Sequence, residues 1–199
     1  MHHWILDLEI EGELVSLVPL SLDHREALLE AAADGKLWEL WYTSVPSEST
    51  IDKYLETALS QKDKGLEYPF AVIENKTGRV VGCTRYYNLE PSNHRLEIGY
   101  TWYAKSAQRT GINTECKLLL LSFAFEELDC IAVQFMTHWH NLRSRRAIER
   151  LGARQDGVLR NHRLLADGSV RDTVVYSIAD YDWQGVKQSL VFEMNKYQH

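Results

Sequence analysis

The segment TECKLLLLSFAFEEL, from Thr114 to Leu128, limits the possible folds more than any other stretch of the chain. On a helix its apolar residues occupy most faces instead of a single stripe, so the helix must be packed deeply, and a sheet is the surface that best covers it. The surrounding pattern supplies that sheet. ELVSLVPL reads as a strand, Ser21 can cap a helix through HREALLEAAAD, and Ser49 can cap another through TIDKYLETALSQKDK, which Gly65 stops. YPFAVIE, a turn at NKTG and RVVGCTRYYNLE read as a hairpin, with RLEIGYTWY as the next strand. After the apolar helix come a strand at IAVQFMTH, a helix at LRSRRAIERL closed by Gly152, and a last hairpin of GVLRNHRLL, ADGS and VRDTVVYSIA. The order predicts an α/β (α+β) fold: a mixed, largely antiparallel sheet of about seven strands flanked by about four helices.

With 199 residues, 45% of them hydrophobic, the chain can bury one good core, and no repeat or linker divides it, so residues 1–199 are expected to form a single domain. A net charge of -6 argues against a general binder of nucleic acid or anionic membrane. MHHWILDLEIEG lacks a basic region followed by a continuous apolar one, and no later run could span a bilayer, which points to the cytoplasm. Cys83, Cys116 and Cys130 have neither the density of a disulfide framework nor C-x-x-C spacing, and read as buried thiols in a reducing compartment. The charge is uneven. Arg95 to Arg163 holds eleven Lys/Arg against seven Asp/Glu, a surplus of +4 that leaves the rest near -10. A basic third in an acidic chain suits a small anionic ligand, although ordinary solvated faces would look the same.

Just before the apolar helix stands QRTGIN, Gln108 to Asn113. A helix start leaves N–H groups without intrahelical acceptors and a partial positive charge, both favourable to phosphate. Gly111 lets the backbone approach a ligand or take positive φ, Arg109 adds a cation, and Thr114 can cap the helix. The segment is neither a Walker loop nor G-x-G-x-x-G. On these residues alone a plain helix cap explains the segment as well as a pyrophosphate site does.

Gln108-x-x-Gly111-x-Asn113 after a strand resembles the Q/R-x-x-G-x-G/A pyrophosphate motif of the GCN5-related N-acetyltransferases (GNAT), and NLRSRRAIERLGARQDGVLR, from Asn141 to Arg160, resembles the superfamily's next segment. LVSLVPLSLDHREAL and RDTVVYSIADYDW look like the branch of ribosomal-protein N-terminal (RimJ/RimL-like) acetyltransferases, so the resemblance covers about residues 14–183, with 184–199 as an extension. The resemblance implies an acetyl-CoA-dependent N-acetyltransferase. Gln108, Arg109, Thr110, Gly111, Ile112, Asn113 and Thr114 would hold the cofactor's pyrophosphate, Asn141 its pantetheine amides, and Ser144 and Arg145 would lie against it. The acceptor would be an amine, from a protein N-terminus or a small molecule such as a polyamine, amino acid or antibiotic. A non-catalytic acyl-CoA sensor is the rival from another class. The partner set includes no nucleic acid or membrane and leaves room for a homo-oligomer.

Two departures from the family pattern matter. Asn113 stands where the motif ends in a small residue, and Ile148 occupies the position seven beyond Asn141 where many members carry a thiolate-protonating tyrosine. Ser144 is the nearest substitute acid, with Tyr176 behind it. An amine is mostly protonated at neutral pH and must lose a proton before it attacks a thioester, so a carboxylate beside the splayed strands is needed; Glu97 is the first choice. The strand around Trp102 and Tyr103 could offer N–H donors to an oxyanion. His138 and His140 share a strand face but lack further ligands at metal spacing, and no metal is expected. His162 and the aromatics Trp38, Trp41, Tyr42, Tyr86 and Tyr87 are candidates to shape an acceptor pocket, though most aromatics are core.

Overall fold

A computed structural model describes residues 4–165 and 167–196. The first three and last three residues, and the expected turn at ADGS where it includes Ala166, lie outside the described residues. The strands are β1 (Ile10–Glu11), β2 (Val15–Pro19), β3 (Glu67–Glu74), β4 (Arg79–Glu90), β5 (Arg95–Tyr103), β6 (Ala132–His138), β7 (Arg154–Leu164) and β8 (Val170–Ala179). The α-helices are α1 (Arg25–Ala33), α2 (Ile51–Asp63), α3 (Ile112–Ser122), α4 (Leu142–Arg150) and α5 (Asp180–Asn195). The strands form one sheet in the order β1-β2-β3-β4-β5-β6-β8-β7. Among the described residues only β5 and β6 run parallel. The fold class is therefore the expected one.

Eight strands and five helices are described where about seven and four were expected. β1 is a two-residue edge strand, too short for alternation to mark it. α5 is not among the expected helices although Trp183, Val186, Leu190 and Met194 recur at helical spacing and are buried; Gly185 weakens the local helical signal. The caps also differ. Thr50 rather than Ser49 precedes α2, and α3 begins at Ile112 with Gly111 as its cap, which places Thr114 inside the first turn. There the Thr114 hydroxyl accepts from both terminal nitrogens of Arg150, each at 3.2 Å. The expected long helix also changes character: after Ser122 it widens into a π-turn over Phe123–Glu127.

The side chains of β4 show which layer lies on each face. Cys83 receives the Tyr54 hydroxyl of α2 at 3.3 Å, while the hydroxyl of Tyr86, on the opposite face, donates to the Leu120 carbonyl of α3. α1 and α2 therefore share one face. α3, α4 and α5 share the other: Arg150 of α4 reaches Thr114 of α3, and Trp183 of α5 stacks on Phe125 with ring centres 5.1 Å apart. All three cysteines are free and buried, as expected. Among the described residues no helix is long and apolar enough to cross a membrane.

Burial on every side forces α3 to enclose charged groups. Glu115 is only 5% exposed, and its carboxylate accepts the backbone N–H groups of Glu13 at 2.9 Å, Leu14 at 2.7 Å and Val15 at 2.8 Å. One side chain thus fastens the start of β2 to the central helix. Truncation in Glu115→Ala would strand three N–H groups, two of them partly buried, and is expected to cost about 2 to 4 kcal/mol. A denaturant titration would check this, and a loss below about 0.5 kcal/mol would mean that the edge is held by the sheet ladder alone.

Candidate active site

The parallel pairing of β5 with β6 lasts for only three residues, Arg95↔Ala132, Leu96↔Val133 and Glu97↔Gln134. Beyond Glu97 the strands part: β5 runs on to Tyr103 beside β4, and β6 runs on to His138 beside β8. The result is a gap in the middle of the sheet, with Glu97 at its apex.

A bulge in β5 decides which side chains look into which side of this gap. Cys83 pairs with Trp102 but Arg85 pairs with Gly99, so β5 carries one extra residue, and Tyr100 takes φ of 52°. Gly99 and Tyr100 consequently lie on the same face, and alternation inverts beyond them. Glu97, opposite Tyr87, and Trp102, whose indole N–H meets the Tyr54 hydroxyl at 3.3 Å, both end on the α1/α2 face. Thr101 is turned to the other face. Gly82 sits against the bulged strand, where a Cβ would come within 2.1 Å of the Trp102 carbonyl oxygen, so no other residue fits there.

On the α1/α2 face, Glu97 is 6% exposed. One carboxylate oxygen accepts from the Asn88 amide at 2.8 Å, and the other has no hydrogen-bond partner among the described residues. Burial, then the neighbouring Glu97 charge, raises the Tyr87 phenol far above its ordinary pKa. Across the gap the α1–α2 loop brings Trp41 edge-on to His138, with ring centres 4.9 Å apart, and within 5.8 Å of His140. The His140 N–H donates to His138 Nδ1 at 3.1 Å, while His138 Nε2 is buried without a hydrogen-bond partner among the described residues. Burial, then the positive charges of Arg171 and His140, lowers the His138 pKa. No group of three or more His, Cys, Asp or Glu among the described residues is arranged to hold a metal.

The opposite face presents the start of α3. Gly111 is buried and has φ of -66°, which any residue can adopt; the positive φ falls instead on Arg109, at 65°. Gly111 is therefore not required here for backbone freedom. The first i→i−4 bond of the helix is Glu115 N–H to the Gly111 carbonyl, leaving earlier N–H groups without intrahelical acceptors; that of Ile112 turns to the Thr110 hydroxyl at 3.3 Å. Gln108 braces this loop: its amide donates to the Tyr103 carbonyl at 2.7 Å and accepts from Arg143 of α4. Arg109 and Thr110 are exposed at its rim, and Asn113 is partly exposed on the first turn.

Asn141 caps α4 by accepting the Ser144 N–H at 3.0 Å. Ser144 is half-buried on that first turn. Arg145, expected beside the cofactor, donates to the Tyr176 hydroxyl at 3.1 Å and lies over the Trp139 ring at 4.6 Å. Tyr176 in turn donates to Glu149 at 2.8 Å, so its phenol is held beneath α4, and Ile148 is buried. Sequence patterns did not reveal Lys117, which is 4% exposed. Its ammonium donates to the hydroxyls of Thr101 at 2.8 Å and Thr84 at 3.2 Å, directly beneath the bulge.

Residues 15–154 match the family described as "Acetyltransferase (GNAT) domain". The chain is 31% identical over 157 residues to "Putative ribosomal N-acetyltransferase YdaF" of Bacillus subtilis (strain 168), covering 74% of this chain and 80% of that protein. Its fold superposes on the crystal structure of a "putative acetyltransferase" from T. thermophilus with a TM-score of 0.83 at 36% identity, covering 96% and 98% of the two chains. It also superposes on a GCN5-related N-acetyltransferase from Brucella melitensis, with a TM-score of 0.85 at 27% identity over 96% and 86%.

Lys117 generates a prediction about pH. Burial lowers its pKa from 10.5 to about 8, so between those values the unfolded chain binds more protons than the folded one, and stability rises with pH across that window. Lys117→Met removes the buried charge and leaves Thr84 and Thr101, 2.8 Å apart, to bond each other. The variant is expected to be more stable than the native chain at pH 7, by about 2 kcal/mol, with the gain fading toward pH 10.5. Chemical denaturation at about pH 7 and about pH 10 checks both the sign and the window. A variant less stable at neutral pH would show that the ammonium's bonds to the two hydroxyls outweigh its desolvation.

Proposed function

The chain belongs to the GNAT acetyltransferase family, and from that premise we propose that it moves an acetyl group from acetyl-CoA directly to a primary amine in a ternary complex, the amine being a protein N-terminus. It is an N-acetyltransferase, and acetyl-CoA, the donor that such enzymes use, supplies an acyl group activated as a thioester. The observation that carries the reading is the gap between β5 and β6, with the α3 N-terminus on one face and the half-partnered carboxylate of Glu97 on the other. Two reactants can enter from opposite sides and meet at the parted strands. The ribosomal name of the relative YdaF supports a protein acceptor.

Each residue then has a task. The free N–H groups at the start of α3 receive the pyrophosphate, with Arg109 at the rim as a supporting cation and Gly111 giving the backbone room. Asn141 keeps its side-chain N–H₂ for a pantetheine carbonyl while its oxygen caps α4. Backbone N–H groups of β5 around Trp102 and Tyr103 stabilise the oxyanion that develops at the acyl carbon. Glu97, with one oxygen anchored by Asn88, takes the proton from the amine with the other, directly or through water. Ser144 donates to the departing sulfur, a modest contribution because a thiol of pKa near about 8.5 leaves readily.

Two variants test the two faces independently. Gly111→Val fills the approach to the α3 N-terminus, and calorimetry should show CoA binding weakened by about 10-fold or more with the fold retained; unchanged affinity would remove the cradle assignment.

Glu97→Gln should lower kcat by roughly 10² to 10⁴ with little change in CoA affinity. Full activity in the glutamine variant would transfer the base role to ordered water or another group.

A further inference from the structure

On the β7–β8 hairpin, on the same face of the sheet as Glu97, stand two arginines to which the transfer chemistry gives no task. Arg163 and Arg171 are directly opposed in the register of the hairpin, a like-charged cross-strand pair that is costly unless something neutralises it. Their face follows from the sheet. His138 faces Trp41 and is paired with Thr173, and the Arg171 Nε donates to the Thr173 hydroxyl at 3.1 Å, so Arg171 and its partner Arg163 lie on the α1/α2 side with Glu97. Arg171 is half-buried, and burial, then the charge of Arg163, lowers its pKa.

Neither arginine forms an ion pair among the described residues. Asp172, which follows Arg171 in the chain, is occupied by Arg160 at 2.6 Å and the Asn161 N–H at 2.7 Å. Tyr87, paired with Glu97, is the group through which the pair adjoins the site: both arginines act electrostatically on its phenol. His138, which feels the Arg171 charge, directs a buried Nε2 without a partner into the same region.

We infer that Arg163 and Arg171 form an anion subsite beside Glu97 that takes a carboxylate carried close to the acceptor amine. The inference rests on the acetyl-transfer reading and not on its protein-acceptor part: the amine is accompanied by a negative charge, either the α-carboxylate of a free amino acid or the acidic side chain of a peptide's first residue. Glu97 takes the ammonium proton while the arginines hold the neighbouring carboxylate, so one end of the acceptor is fixed as the other reacts.

The experiment uses acceptor pairs that differ in this charge, with kcat/KM expressed per neutral amine at each amine's own pKa: phenylalanine against phenylalaninamide, and C-terminally amidated tetrapeptides beginning with Asp against those beginning with Asn. CoA release from acetyl-CoA gives kcat/KM for each. The carboxylate member of at least one pair should be favoured by about 10-fold or more, and that pair identifies the source. In Arg163→Gln/Arg171→Gln the preference should fall to about 1. Calorimetric binding of N-acetylphenylalanine and its amide, and of the N-acetylated Asp and Asn tetrapeptides, in the presence of CoA reads the same subsite without turnover. Charge-dependent binding that the double variant abolishes, without CoA release from any acceptor, would sink the transfer reading and keep the subsite. Equal kcat/KM or equal binding within both pairs, or a preference that survives the double variant, overturns the inference.

Discussion

A sheet that opens in its own middle leaves backbone groups that must be satisfied. β5 and β6 share three pairs and then separate, and from Ile98 and Phe135 onward their facing edges have no ladder between them. Backbone N–H and C=O groups withdrawn from water without partners are costly, so such an opening persists only if water or a ligand rich in amides can line it. The rest of the architecture follows from this demand. α3 must place its first turn at the mouth of the opening, α4 must close the outer side, and the α1–α2 loop must cross the inner one.

Charge is placed in this frame at positions where burial is expensive. Glu115 is offset by three N–H donors, and Arg85, with a side chain 3% exposed, is paired with Glu67 at 2.8 Å and enclosed by the rings of Tyr54 and Tyr100. Lys117 has hydroxyl partners only. Charges met by several donors or by an ion pair act as rivets, even though the buried Arg85 Nε has no hydrogen-bond partner among the described residues, whereas a poorly compensated charge is a local strain that the fold tolerates. Lys117 lies under the Tyr100 bulge, so the strain coincides with the irregularity that shapes the gap.

The strand and helix order, the depth of α3 and the loop that opens its first turn were legible in the sequence because each depends on local patterning and on glycine. What escaped depends on distance along the chain or on exceptions to alternation. The Tyr100 bulge gives no composition signal, since a tyrosine at positive φ looks like any strand tyrosine. A glycine in the loop suggests a left-handed residue, but Gly111 has an ordinary φ and the neighbouring Arg109 adopts the positive one. Glu115 and Lys117 look like polar helix positions bound for solvent, and only the sheet and the β1–β2 edge around them show that they are interior. Arg163 and Arg171 stand on different strands, and nothing local says that the hairpin register sets them face to face.

The bulge has a consequence for how this site can vary over generations. Because the parity of β5 inverts at Gly99 and Tyr100, Glu97 and Trp102 face the same layer only while that extra residue is present. Point changes along the strand swap one side chain for another and leave the facing pattern intact. Loss of a single codon there would restore strict alternation and turn either the apex carboxylate or the Trp102 end into the opposite layer, however conservative the remaining residues. Descendants of this chain can therefore explore new acceptors by substitution, but a change of length in this short stretch would dismantle the site in one step.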